Sequence, residues 1–434
     1  MQIAEVEEAD RAEVERLLSA LRERKQTVME YLKGELMEKF DFALEAAPDL
    51  ELGIEATILQ AFSDGHYENT PAKIHTLAVG PPGVGKKLMA QAAWYINPVW
   101  KEADPTKISA AGLVGTARMS EDRRWVSDPG LIPEAHRGVF VLQDFRAVTT
   151  SSQKNAALRT FAVVMEEGEC KDSTAAKKTH PAETSIHIDT NRLTDIWPGR
   201  EPKDFVENIG IPMHVLTRFD IILDIPADTE REIRTALDRL RGSAKVTAKS
   251  RRKTAEPSAI RIRKLVAVLR DKHEEVNIPK HIHEYMRKRF EELRDANKER
   301  LKDLPHLSDF MQRMMNSLHK FATAHARMRD RSVCDEEDVK VALTFIGKKL
   351  EALSRLHSEL KIPKGWEPRP RGEKIAEWIA QEFPPGTIVT VKDVRGAYEK
   401  RFGIPLDERT AQRWLRRAAT QGRKGSWKLR TRPP

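Results

Sequence analysis

Cysteine is nearly absent: there are two in 434 residues, Cys170 and Cys334, far apart in the chain. That excludes a disulfide-stapled fold and suits a reducing compartment. No Cys/His group has the spacing of a zinc site, so no metal ligands are expected. No stretch approaches the roughly 20 continuous apolar residues of a membrane span, so no membrane partner is expected. The N-terminus opens acidic (Glu5, Glu7, Glu8) rather than with a basic and then apolar leader, so a cytoplasmic location is expected.

What is present is length and uneven charge. The chain can hold two or three domains with cores of their own. Its formal charge of +9 fits a nucleic-acid partner. From Asp407 to Pro434 nine basic residues stand against two acids, an excess of seven that nearly equals the imbalance of the whole chain.

The stretch Leu77-Ala78-Val79-Gly80-Pro81-Pro82-Gly83-Val84-Gly85-Lys86-Lys87-Leu88 passes from an apolar strand pattern through a glycine-rich turn into an apolar helix pattern. That is the setting of a phosphate-binding loop. Glycines let backbone N–H groups turn inward on a phosphate chain, and the helix N-terminus adds its positive dipole end. Gly80 to Leu88 are therefore the expected nucleotide-binding residues, with Lys86 reaching the outer phosphates. The pattern then asks for Ser or Thr, whose hydroxyl ligates magnesium; this chain has Lys87.

Taken in order, residues 1–46 read as charged helices that pack on the next domain. Pro48 interrupts the pattern, and Leu52 to Phe62 gives another amphipathic helix. From 47 to 240 strand-like runs (Thr76–Val79, Gly138–Leu142, Thr184–Ile188, Phe219–Ile225) alternate with helical stretches, the signature of a sheet with crossover helices. Residues 241–258 are basic and poor in large apolar residues, and read as a linker. Residues 259–360 carry helical stripes and no strand run, an all-α domain. Residues 361–372, with Pro363, Pro368 and Pro370, read as a second linker. From 373 to 434 helices are expected at Lys374–Phe383, Val391–Phe402 and Glu408–Gln421, then a turn at Gly422–Gly425 and a strand at Trp427–Leu429. Three helices and a basic hairpin suit a winged-helix form of the helix-turn-helix. Trp414 and Leu415 can pack inward, while Arg409, Arg413 and Arg416 or Arg417 share a face. Such a face, with Lys428 on the wing, suits phosphate contact and guanine edges, or is a solvated basic surface.

With those pieces in place, Ala47 to Leu353 resembles the AAA+ motor of the minichromosome maintenance (MCM) family of replicative DNA helicases. After the phosphate loop, Ser109-Ala110-Ala111-Gly112-Leu113, Trp125-Val126 and Pro129-Gly130-Leu131 resemble the segment with the family's helix-2 insert. Met165-Glu166-Glu167 is similar to the helix before the pre-sensor hairpin. Asn191 falls where the family carries its sensor-1 asparagine, and Leu216-Thr217-Arg218-Phe219-Asp220 is similar to its arginine-finger motif. Ala324-His325-Ala326-Arg327-Met328-Arg329 resembles a late helix, which puts Arg313 at the sensor-2 position. The resemblance implies an α/β AAA+ P-loop domain plus an all-α lid domain, with a C-terminal winged helix. It also implies ATP as nucleotide, DNA and other MCM-family subunits as partners, and channel-facing lysines among Lys171, Lys177 and Lys178, which also read as a plain surface charge run. Residues 1–46 have no counterpart of the family's N-terminal oligonucleotide-binding region.

The resemblance also exposes departures. In Val139-Phe140-Val141-Leu142-Gln143-Asp144-Phe145, Gln143 stands where the family's metal-binding Asp belongs and Asp144 where its Glu prepares the attacking water. A one-residue slip would return Asp144 to the metal and leave Phe145 as base. Lys87 and Gln143 fall on the same ion, so magnesium binding and hydrolysis are expected to be impaired, leaving Asp144, Asn191, Arg218 and Arg313 as the catalytic set. Two orientations of Lys87 stand open: inward, where its charge partly replaces magnesium, or toward solvent. Arg218 is kept either to complete a neighbouring subunit's site or for stability. The leading reading is an accessory or inactive MCM homologue that binds DNA. The alternatives are an active helicase with an unusual metal site, and a non-enzymatic DNA-binding regulator that uses the motor fold as scaffold.

Overall fold

The computed structural model describes residues 5–40, 48–67, 70–171, 177–192, 209–225, 248–297, 307–358, 379, 382–383, 387–402, 408–421 and 427–429. The chain divides into two compact units, one holding residues 1–195 with 206–358, the other residues 196–205 with 359–434.

In the first unit, helices α1 (Glu8–Glu23), α2 (Val28–Phe40) and α3 (Pro48–Phe62) come first. Pro48 opens α3, four residues before the expected start at Leu52, since the first turn of a helix needs no N–H there. Strand β1 (Thr76–Val79) leads to α4 (Lys86–Ile96), then β2 (Trp100–Ala103), β3 (Val139–Leu142), α5 (Ser151–Glu167), β4 (Ser185–Thr190) and β5 (Ile221–Asp224). The five strands are all parallel in the order β5-β1-β4-β3-β2. A parallel sheet is covered on both faces, which is why β1, β3 and β4 are buried at every position. Strand β2 escapes the sequence reading because it is an edge strand carrying Lys101 and Glu102, with no apolar run.

Two hairpins project from this core: Gly115–Met119 with Trp125–Pro129, and Glu169–Lys171 with Thr179–Pro181. Ser127 and His180 join them through a 2.8 Å contact.

The α region consists of α6 (Ala248–Lys272), α7 (Lys280–Ala296), α8 (Leu307–Met328) and α9 (Glu336–Ser358). The expected linker over 241–258 is corrected here: from Ala248 onward it is the first part of α6. Ala, Lys, Arg and Glu are good helix formers, and that propensity prevails over the segment's lack of large apolar side chains. Helices α1 and α2 pack on α6, and Phe40 of α2 meets Tyr95 of α4 edge to face at 5.6 Å. Arg327 of α8, 1% exposed, donates to the carbonyls of Phe62, Asp64, His273 and Glu274, fastening the α region to the core.

The second unit holds β6 (Ile388–Val389), α10 (Val391–Phe402), α11 (Glu408–Ala418), β7 (Ala419–Gln421) and β8 (Trp427–Leu429). Its three strands form an antiparallel sheet in the order β6-β8-β7. Val394, Tyr398, Ala411, Trp414, Leu415 and Trp427 are buried together, with Tyr398 and Trp414 edge to face at 5.5 Å. The third helix ends at Ala418, three residues before the expected Gln421, because Ala419–Gln421 pairs with β8. The turn Gly422–Gly425, the linker 361–372 and most of Lys374–Phe383 lie outside the described residues.

Candidate nucleotide site

The loop Gly80–Gly85 leaves β1 and enters α4 as the glycine pattern requires. Gly83 and Gly85 take φ of 91° and 96°, a region that suits glycine. A Cβ on Gly80 would fall 2.4 Å from the Ile225 carbonyl, so a side chain there would displace the loop from β5. The Gly80 N–H donates to the Thr190 carbonyl at 3.3 Å, tying the loop to the end of β4. Lys86 is buried and donates to the carbonyls of Gly80 (2.9 Å) and Pro81 (2.6 Å). Burial lowers its pKa; Asp189 and Asp144 oppose that, and the charge of Arg192 adds to it. Val84 is buried and Leu88 half-buried, whereas Pro82, Gly83 and Lys87 are exposed, so Lys87 has the solvent-facing orientation.

At the end of β3, Gln143 donates its side-chain amide to Glu102 of β2. Asp144 takes φ 48° and ψ 59°, a left-handed conformation rarely held by a residue other than glycine. Its N–H donates to Asp189 Oδ1 at 2.8 Å, and its own Oδ1 accepts from Asn191 Nδ2 at 3.3 Å. Lys86, Asp144 and Asn191 are thus gathered at the carboxyl ends of the parallel strands, the usual ligand-binding edge of such a sheet.

Asp189 is not singled out by the sequence, yet its carboxylate lies in this cluster, 6% exposed and accepting the Asp144 N–H. Ile188 pairs with Leu142, so Asp189 lies one residue further along beside Gln143. Burial raises its pKa, opposed by the Asp144 N–H and Lys86. The signal available was an acid at the end of a buried parallel strand.

Magnesium, which the fold implies, does not suit this donor set. The hydroxyl position holds the exposed ammonium of Lys87, and the strand-end position holds an amide engaged with Glu102. Among the described residues no group of three or more His, Cys, Asp or Glu is arranged to hold a metal ion.

Arg218 and Arg313 form a second cluster. Arg218 Nε donates to Glu166 Oε2 at 2.9 Å, with a further contact through its terminal nitrogen, and Arg313 approaches the same oxygen at 3.6 Å. Burial works against ionisation of Glu166, but the two arginines hold it below the usual carboxylate range. Around them lies a cavity of about 250 Å³ lined by Met165, Glu166, Thr217, Arg218, Arg313 and Lys320 among others, with no residue of the phosphate loop. The four residues expected to act in catalysis therefore fall into two groups.

Of the expected DNA contacts, Lys171 is paired with Glu167 at 2.5 Å on the second hairpin, while Lys177 and Lys178 are exposed. Arg416 is exposed on α11. The side chains of Arg409, Arg413, Arg417 and Lys428 lie outside the described residues. Among the described residues no helix is long and apolar enough to cross a membrane.

Comparison with known proteins bears on the P-loop core and the α region together. The MCM P-loop domain model matches residues 46–238, and the MCM AAA-lid domain model matches residues 260–350. An uncharacterised MCM-type protein of Methanocaldococcus jannaschii is 26% identical over 200 residues, 44% of this chain and 25% of that protein. A second from the same organism is 24% identical over 320 residues, 69% of this chain and 43% of that protein. The chain thus spans less than half the length of either relative. A full-length MCM homologue from Methanopyrus kandleri has a similar fold, with a TM-score of 0.57 at 18% identity, covering 80% of this chain and 63% of that one. With its P-loop core and its α region each matched, in order, by a domain of one family, the chain belongs to the MCM family.

Proposed function

We propose that this chain is a DNA-binding AAA+ subunit of the MCM type that binds ATP, hydrolyses it little or not at all, and lends Arg218 to a neighbouring subunit's nucleotide. The observation that carries the reading is Gln143: the position that should offer a carboxylate to the metal offers an amide donated to Glu102. Phosphoryl transfer in such motors is mainly positioning and charge neutralisation. Without the ion's two protein positions, the loss should exceed the ~10²–10³-fold typical of removing one transition-state donor.

The protein's own groups retain the binding half of the task. The positive φ of Gly83 and Gly85 where the loop enters α4 supports phosphate binding by the loop's backbone N–H groups, Lys86 supplies charge, and Asn191 donates to the Asp144 carboxylate at 3.3 Å. The Arg218–Arg313 cavity offers guanidinium groups suited to a phosphate presented from outside the chain. For DNA, the helix pair α10 and α11 with a three-stranded sheet supports a winged-helix reading of the second unit, and Arg416 lies exposed on α11. Lys177 and Lys178 on the second hairpin are the motor's own candidates.

Phosphate release, measured with DNA for this chain alone and then mixed with a hydrolysing MCM protein, tests the reading. The expected result is no turnover alone and a rate in the mixture that depends on Arg218. DNA-stimulated turnover by this chain alone would overturn it in favour of an active motor. A strictly monomeric protein with no effect on the mixture would leave only a DNA-binding scaffold.

A further inference from the structure

Arg192 follows Asn191 at the end of β4 and pairs with Asp224 at the end of β5. Strand β1 lies between those two strands, with Val79 in register with both Thr190 and Asp224. The Arg192–Asp224 pair therefore spans the carboxyl end of the strand that feeds the phosphate loop. Both side chains are largely buried, at 11% and 9% exposure. A guanidinium placed there is not surface charge, and after burial and the opposing charges of Asp189 and Asp144 it is the remaining charge that bears on Lys86, in the direction that disfavours the protonated lysine. Asp224, Asp189 and Asp144 offset the repulsion between the two cations, and a phosphate arriving at the loop would add to that offset. Five N–H donors in a fixed fork let one guanidinium keep a carboxylate and take a phosphate oxygen together.

We propose that Arg192, tethered by Asp224, is a second phosphate-binding cation of the nucleotide site and takes over charge neutralisation where the site departs from magnesium binding, so that a nucleoside triphosphate binds without a divalent ion. The inference rests on the nucleotide-binding reading above and adds to it the residue and the metal independence. It also assigns the role that Lys87, exposed at the loop, does not fill. The carboxylates of Asp144 and Asp189 would by themselves repel a triphosphate, and Arg192 with Lys86 offsets them.

The test is calorimetric titration of ATP into the full chain, in magnesium and in EDTA. The unaltered chain should bind in EDTA within about threefold of its affinity in magnesium, and Arg192→Ala should weaken binding in EDTA by about tenfold or more, the worth of a charge-assisted contact. Arg192→Lys should recover part of the loss, and Lys340→Ala, on the exposed face of α9, should change nothing. Because Arg192→Ala leaves the Asp224 carboxylate buried, the pair Arg192→Gln with Asp224→Asn serves as a second variant, checked for fold by circular dichroism; it too should lose binding in EDTA. Binding that needs magnesium, or Arg192 variants that bind in EDTA as the unaltered chain does, overturns the proposal while leaving the nucleotide-site reading in place. No heat in either buffer overturns both.

Discussion

Asp189 accepts the backbone N–H of Asp144 through Oδ1 at 2.8 Å, and so a buried carboxylate on β4 fixes the left-handed turn that ends β3. Non-glycine residues hold that conformation only where their surroundings insist on it. Two substitutions separate the acceptor from the charge. Asp189→Asn keeps an oxygen for the N–H, whereas Asp189→Ala leaves that N–H unsatisfied and should cost about 1–3 kcal/mol in chemical denaturation. Burial raises the Asp189 pKa above its ordinary 3.8. Its favourable share is therefore complete below that value and is lost as pH rises through the folded one. Asp189→Asn should be at least as stable as the unaltered chain at neutral pH. Equal losses from Asn and Ala would show that the charge, not the acceptor, is what β4 needs.

Asp64 is the opposite case. It is 3% exposed and accepts from Lys73 (2.6 Å), Arg137 (2.9 Å) and Arg270 (3.0 and 2.9 Å). Burial opposes its ionisation, but the charges of Lys73 and Arg270 and the hydrogen bonds it accepts hold it far below the usual carboxylate range. Removing one partner of a buried ionic group typically costs ~3–5 kcal/mol, and Asp64→Ala strands two buried cations, Lys73 and Arg270, while the half-exposed Arg137 turns to water. The expected outcome is a loss at the upper end of that range, or failure to fold at 37 °C. The folded value being depressed, the contribution is present above the ordinary 3.8 and drains away as pH falls below it. Urea melts of the unaltered chain between pH 5 and pH 3 should show stability falling over that interval.

How far these features could be read in the sequence depends on whether the signal was local. The β1–loop–α4 unit declares itself, because glycine spacing and apolar periodicity are confined to one short stretch. Trp414 and Leu415 were legible for the same reason, and both are buried in the second unit. Strand β2 was not, since an edge strand need not be apolar. Asp189, Glu102 and Arg192 gain meaning only through the order β5-β1-β4-β3-β2, which sets residues remote in sequence side by side. Glu166 is legible as part of a motif, but its role as shared partner of Arg218 and Arg313 depends on the fold bringing residues 52 and 147 positions further along the chain to the end of α5.

That shared carboxylate yields a prediction for mixed assemblies. Arg218→Ala in this chain should lower the phosphate release of a mixture with a hydrolysing MCM protein by about 10²-fold or more at the joint sites, the scale of a lost transition-state donor. Glu166→Gln should leave the fold intact, because a partly exposed ion pair contributes at most about 1 kcal/mol. It should keep or raise the rate of the mixture, since a neutral amide competes less for both guanidiniums than a carboxylate does. A rate unchanged by Arg218→Ala would confine this arginine to holding α5.

The basic C-terminal unit makes a prediction that depends on salt. Each phosphate neutralised by Lys or Arg releases counterions, so the slope of log affinity against log salt counts contacts, at roughly 0.9 per phosphate on duplex DNA. Replacing Arg409, Arg413, Arg416 and Arg417 with alanine should weaken duplex binding at a fixed salt concentration and flatten that slope by about 0.9 for every arginine that meets a phosphate. Arg416 alone should account for about one such step, being exposed on α11 with Trp414 and Leu415 turned into the core. If one of the four instead reads a base edge, its loss should depend on DNA sequence and cost about 1–3 kcal/mol at that position. Lys177→Ala with Lys178→Ala on the second hairpin is the matched comparison. A slope that falls there and not in the arginine variants would assign DNA binding to the second hairpin rather than to α11.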